Sequence, residues 1–286
     1  MGTLIAYMNK VQRHFCLYVL AVCFMIPNLT VAKCFDTSCT MLKAGFGAYY
    51  VGFVMPSTIA FNGFGAHISA NASRHWRWFV IGVDGGFGFS GVKAHTASTS
   101  TSVNFGSLVN IEPYIGVNLG SLENPIFVSL TLPVDHYGFG FAPNNNLDAM
   151  TLFEVGGALS GNIALAQGFG INFKLGYSYA YAGNYGIKRR NIDMGGLNQD
   201  PATIEVRDHY KNHTMPLNGA HIWELALGTT FEREYAEYST IKILYAYLKC
   251  KYYTINAPNS AIVEGVLLEY SYANSFVTML ELGVGF

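Results

Sequence analysis

An all-β, antiparallel up-and-down barrel that crosses a membrane is predicted by three observations. Segments in which apolar residues alternate with small or polar ones recur from about residue 42 to the end of the chain. A period of two is the mark of strands with unlike faces. Charged residues make up only 12% of the 286 residues, against roughly a quarter in ordinary soluble domains, while aromatics reach 15%. Finally, the faces opposite the apolar ones carry Gly, Ser and Asn with single carboxylates, where a soluble sandwich would carry charge. Apolar-out and small-polar-in is the transmembrane barrel arrangement. Only closure removes the strand edges that hydrocarbon does not tolerate.

The first 32 residues read as a secretory signal. Lys10 and Arg13 form a basic region, Phe15 to Ile26 is an uninterrupted apolar run, and Pro27 and Asn28 break it. Thr30-Val31-Ala32 supplies small residues for cleavage near Ala32, leaving residues 33–286 as a single barrel domain. The apolar run is too short to span about 30 Å as a helix. Cys16 and Cys23 leave with the signal, whereas Cys34 and Cys39 frame C-F-D-T-S-C and are expected to close a disulfide in an oxidising compartment.

The mature chain offers its strands in order. Leu42–Val54 and Thr58–Ala70 are Gly-rich and alternate loosely. Trp76–Ser90, Val103–Leu119, Thr151–Ala166 and Phe169–Ala182 alternate well, the last ending in Tyr177, Tyr179 and Tyr181 as an interfacial aromatic girdle would. Ile126–Phe141 begins cleanly with Val128, Leu130, Leu132 and Val134. It then slips to Tyr137, Phe139 and Phe141 after Pro133, which predicts a bulge. His221–Phe231, Thr240–Tyr253, Ile262–Tyr272 and the closing Phe276–Phe286 complete eleven segments.

An odd count conflicts with both termini lying on one side of a membrane. Promoting Thr203–Tyr210, inside the polar interval 183–218, gives twelve strands; ten is the alternative. With twelve, the polar stretches Lys93–Ser102, Pro143–Asp148 and Gly183–Ala202 share one rim. The tight connections Gly120–Pro125 and Gln167-Gly168 share the other.

The closing strand places Phe286, Val284, Leu282 and Leu280 on one apolar face behind a carboxyl-terminal aromatic. It resembles the last strand of Gram-negative outer-membrane β-barrel proteins, which typically end in Phe with apolar residues at every second position. The resemblance extends to the signal and to the strand pattern of the whole chain, and it is specific for the superfamily alone. It implies residence in the outer membrane, contact with its lipid and lipopolysaccharide, and insertion by the barrel assembly machinery through those four residues. Lys188-Arg189-Arg190 is a candidate contact for lipopolysaccharide phosphates.

The alternation assigns Asp84, Glu112, Glu154, Lys174, Glu224, Lys242, Glu269 and Glu281 to the lumen. An acidic lumen points to a small pore or solute channel that favours cations. The competing reading is that these groups pair with one another inside a filled barrel of structural or surface-interaction type. A net charge of −1 and the lack of a basic stripe argue against nucleic acid. No zinc-type Cys/His spacing and no cofactor motif are present. His67 and Ser69 share a strand face, as a base and nucleophile would, and adjacent Asp135 and His136 point to opposite faces. Neither pair is joined by a motif of the lipid-modifying barrel enzymes, and no catalysis is expected.

Overall fold

The computed structural model describes residues 34–35, 38–54, 60–95, 100–121, 124–141, 146–166, 168–188, 212–217, 219–232, 243–255, 260–263, 266–269 and 273–285. The signal segment, Thr203–Tyr210 and Phe286 lie outside them.

All the regular structure among the described residues is strand. A short arm, β1 (Cys34–Phe35), folds back on β2 (Ser38–Val54) with Cys34 and Cys39 as direct register partners. The side chains of that cysteine pair lie outside the described set. Then come β3 (Ala60–Trp76), β4 (Phe79–His95), β5 (Ser100–Asn118), β6 (Ile126–Thr131), β7 (Val134–Phe141), β8 (Asn146–Ala166) and β9 (Phe169–Lys188). They are followed by β10 (Asn212–Pro216), β11 (Ala220–Glu232), β12 (Ile243–Ile255), β13 (Ser260–Val263), β14 (Val266–Glu269) and β15 (Ala273–Gly285). Antiparallel pairing passes from neighbour to neighbour, and β15 returns to β2 from Phe276↔Gly52 to Gly285↔Lys43. The sheet is therefore a closed barrel.

Among the described residues the wall holds ten strands, the smaller of the two expected counts. β6 and β7 are one wall strand, because both pair with β5 and β8 in a continuous register. Pro133 and Pro113, the register neighbour of Leu132, remove two ladder donors at one level, so pairing is interrupted without a shift. Likewise β10 and β11 continue one register along β9. Between them Gly219 takes a left-handed φ of 84° beside Leu217, which is buried.

Two expectations are corrected here. The segment Ile262–Tyr272 is not a wall strand: it carries the separate β13–β14 hairpin. Among the described residues parity is thus restored by losing that strand, with Thr203–Tyr210 outside them. There is also no change of facing after Pro133. Ser129, Thr131, Pro133, Asp135, Tyr137 and Phe139 all point inward, so Tyr137 and Phe139 lie in the interior and not on the outer face. The register shift that does occur in this region lies across β8 and β9, at Phe153/Glu154, where Tyr181 is the extra residue.

The outer surface is a belt of exposed apolar side chains, among them Phe64, Ile68, Leu130, Leu175, Leu225 and Leu280. In water such a belt would be an aggregation surface; in hydrocarbon it is the solvated face. Leu280 and Leu282 of the closing strand belong to it. The rim that carries both ends of the barrel has the tight turns at 77–78 and 167–168, the latter with Gly168 at φ 74°. Connections 96–99, 142–145 and 189–211 leave from the opposite rim. These polar stretches and tight turns therefore lie at separate rims although the strand count is ten, while the ten-residue connection 233–242, with four charged residues, leaves from the rim of the tight turns.

Candidate functional site

The inward faces divide the interior into three levels. Toward the rim with the long connections, large side chains fill the bore. Phe53 stacks on Tyr137 with ring centroids 4.6 Å apart, and Phe61 stacks on Phe139 at 4.4 Å. Val51, Leu108, Met150, Leu152, Leu217 and Ile222 pack around them, all buried. This is an apolar core inside a barrel.

Beneath it lies a tier of buried charge. Lys251 donates to both oxygens of Asp135, at 3.0 and 2.9 Å. Asp135 is 0% exposed and the Lys251 side chain 3%. Tyr253 donates to Asp135 Oδ2 at 2.5 Å. Its one proton is then committed, so Tyr137, 2.5 Å from the Tyr253 hydroxyl, is the donor of that second bond. The pair is thereby tied to the aromatic plug. Alongside, Lys174 bridges Glu112 at 2.7 Å and Glu224 at 3.0 Å, Lys249 reaches Glu224 at 3.0 Å, and Ser178 donates to Glu154 at 2.5 Å.

The third level, toward the rim with the termini, is a half-open polar cavity of about 220 Å³. Glycines make its geometry. His67 of β3 and Glu281 of β15 are both register partners of Gly47 on the intervening β2, which puts no side chain between them. His67 Nε2 donates to Glu281 Oε2 at 3.1 Å. The Tyr245 ring lies over Gly283 and Gly45, where an added Cβ would meet its hydroxyl at 2.4 and 2.6 Å, and it donates to Glu281 Oε1 at 2.7 Å. Tyr114 covers Gly82 in the same way and accepts from Asn71 at 3.2 Å. Asn71 also donates to Asp84. Replacing Gly283 by Leu is expected to displace Tyr245 and to destabilise the barrel by about 1–3 kcal/mol, the usual cost of overpacking. Urea unfolding of the refolded protein reads it; an unchanged midpoint would count against the ring-over-glycine packing.

Of the eight charged residues assigned to the lumen from sequence, Asp84, Glu112, Glu154, Lys174, Glu224 and Glu281 lie inside the wall. Lys242 is outside the described residues, and Glu269 sits on the β13–β14 hairpin rather than on the wall. Sequence reasoning missed Asp135, Lys43, Lys249 and Lys251. With them, six carboxylates face four lysines among the described residues, so the interior is nearer neutrality than the original eight suggest. His67 is spent on Glu281 rather than on Ser69, and His136 turns away from Asp135 to Thr151 at 2.8 Å. Among the described residues no group of three or more His, Cys, Asp or Glu side chains is placed to hold a metal ion.

Neither a protein-family model nor a curated sequence matches the chain. Solved structures do. The outer membrane protease OmpT of Escherichia coli is 9% identical with a TM-score of 0.49, over 88% of this chain and 96% of that one. A major outer membrane protein of Thermus thermophilus is 12% identical with a TM-score of 0.35, over 87% and 99%. An outer membrane channel of Pseudomonas putida is 9% identical with a TM-score of 0.33, over 91% and 99%.

Proposed function

Starting from a chain that is an outer-membrane-type β-barrel, closed on itself and belted with apolar side chains, we propose that it is a non-conducting barrel of structural or surface-interaction type. The plug formed by Phe53, Phe61, Tyr137, Phe139 and Tyr253 carries this reading. A general solute channel needs a water-filled bore lined by polar groups, whereas here stacked rings and the Asp135–Lys251 pair occupy that position. The reading favours the filled-barrel alternative over a cation-selective pore. It assigns the His67–Glu281 couple, joined by the Tyr245 hydroxyl, a structural role. The external work then falls to the connections on the long-loop rim, including Lys188-Arg189-Arg190, with envelope lipid phosphate as a natural partner.

Planar-bilayer recording tests it. Refolded protein that has demonstrably inserted is expected to give no conductance steps at moderate voltage. Regular steps from the wild-type chain would overturn the closed reading and restore the channel.

A further inference from the structure

The cavity below the plug is not needed to close the barrel, and its lining is unevenly satisfied. Four interior residues on adjacent strands form one register row: Lys43 pairs with Asn71, Asn71 with Asp84, and Asp84 with Glu112. Lys43 stands at one end. Among the described residues it has no ion pair; its ammonium lies 5.7 Å from the Tyr245 ring centroid, within reach of the charges of Asp84 and Glu281. Glu112 stands at the other end, 2% exposed. One of its oxygens takes Lys174, and the other, Oε2, is buried with no partner. Ser129 Oγ and His67 Nδ1, both on cavity-lining residues that are buried, are unpartnered as well. Buried polar atoms in a native fold are normally satisfied.

The row therefore presents a cation with no ion pair and a carboxylate with one oxygen unpartnered, separated by the Asn71 amide and the Asp84 carboxylate. A simple anion at Lys43 would sit beside Asp84 and Glu281. A simple cation at Glu112 would leave Lys43 without a direct partner. A molecule carrying both charges meets both conditions. At about 220 Å³ the cavity is smaller than the roughly 300–1,000 Å³ typical of sites for drug-sized ligands. We propose that this cavity binds a small zwitterion of amino-acid size, its carboxylate held by Lys43 and its ammonium by the Asp84–Glu112 end of the row. The Asn71 side chain, fixed between them by Asp84 and Tyr114, sets the spacing of the two charges. Access is from the rim that carries the termini, so binding is compatible with a sealed bore.

Isothermal titration of the folded barrel in detergent, with L-alanine, L-serine, L-glutamate and L-lysine as probes, tests the site. At least one is expected to bind saturably. The deaminated and the decarboxylated analogue of the tightest binder (propionate and ethylamine, for alanine) should each bind about tenfold or more weakly, since each leaves one buried charge unmet. Lys43→Met should abolish binding and Lys43→Arg retain it. No saturable binding by any probe would overturn the proposal, as would an analogue lacking one charge that binds as well as the parent. Wild-type affinity in Lys43→Met would overturn it too. The analogue comparison uses the wild-type protein, so it decides the matter even where a variant fails to fold. Conductance plays no part in it, so its failure is separable from failure of the closed-barrel reading.

Discussion

Removing the carboxylate of Asp135 while Lys251 remains is expected to cost about 3–5 kcal/mol, because an uncompensated ammonium is then left in the dry interior. Within the tier Lys251 can fall back only on carboxylates that are already partly engaged: Glu154 is within reach of its charge and bonded to Ser178 through Oε2, with Oε1 unpartnered. Glu224 is shared by Lys174 and Lys249, and Glu112 is bonded to Lys174. Asp135→Ala also takes the acceptor from Tyr253, whose hydroxyl is buried with Tyr137. The double change Asp135→Leu with Lys251→Met should recover most of the loss, since well-packed apolar replacements of a buried pair are often neutral or stabilising. Urea titration of protein refolded in lipid vesicles, followed by the fluorescence of its three tryptophans, measures both. A single variant within about 1 kcal/mol of wild type would show that Lys251 is hydrated or has passed to Glu154, and the further change Glu154→Gln separates the two.

Emptying the plug should convert a silent barrel into a conducting one. Phe53, Phe61, Tyr137 and Phe139 form two stacked pairs across the bore. Large-to-small changes leave cavities because the surroundings relax only in part, and a ten-strand wall held by its own ladder cannot collapse to fill three lost rings. Phe53→Ala, Phe61→Ala and Phe139→Ala combined are expected to give discrete conductance steps in planar bilayers where the wild type gives none. The combined variant should also lose several kcal/mol of stability, as each ring deletion costs roughly 3–5 kcal/mol when fully buried. A folded triple variant that stays silent would mean that another layer seals the bore.

The alternation made the barrel legible, because a period of two states which residues share a face. It does not state what a strand pairs with. Ile262–Tyr272 alternates as the wall strands do, yet its partner is itself, through the β13–β14 hairpin. Nor does it state which face is apolar when the interior is apolar too. Tyr137 and Phe139 read as a slip of the apolar period after Pro133, because alternation alone does not tell a lipid-facing ring from one inside a plug. The same ambiguity hid Lys249 and Lys251, whose strand has large residues on both faces: Leu244, Leu248 and Tyr252 outward, Tyr245, Tyr247 and Tyr253 inward. Lys43 went unnoticed in a glycine-rich segment with weak alternation. Those glycines carry information that composition alone cannot reveal, because their role is to vacate space for Tyr245 and Tyr114, side chains from other strands.

The pairing of β15 with β2 bears on the order of folding events. The seam joins the two ends of the barrel chain; Val54 N–H, for instance, donates to Ser275 Oγ across 221 positions. Every other wall contact joins successive strands, so hairpins can form early and locally, whereas the seam has to wait for the last strand to arrive. Non-local pairing of this kind is slow, since the entropy of closing a long loop is lost before any contact repays it. Until then two open edges present unpaired N–H and C=O groups. The seam eases its own closure: Gly45, Gly47, Gly283 and Gly285 leave few side chains to sort. Once strands meet, the His67–Glu281 hydrogen bond spans it like a clasp. The rate-determining step of maturation is thus written at one join, and the barrel is sealed last where its polar cavity lies.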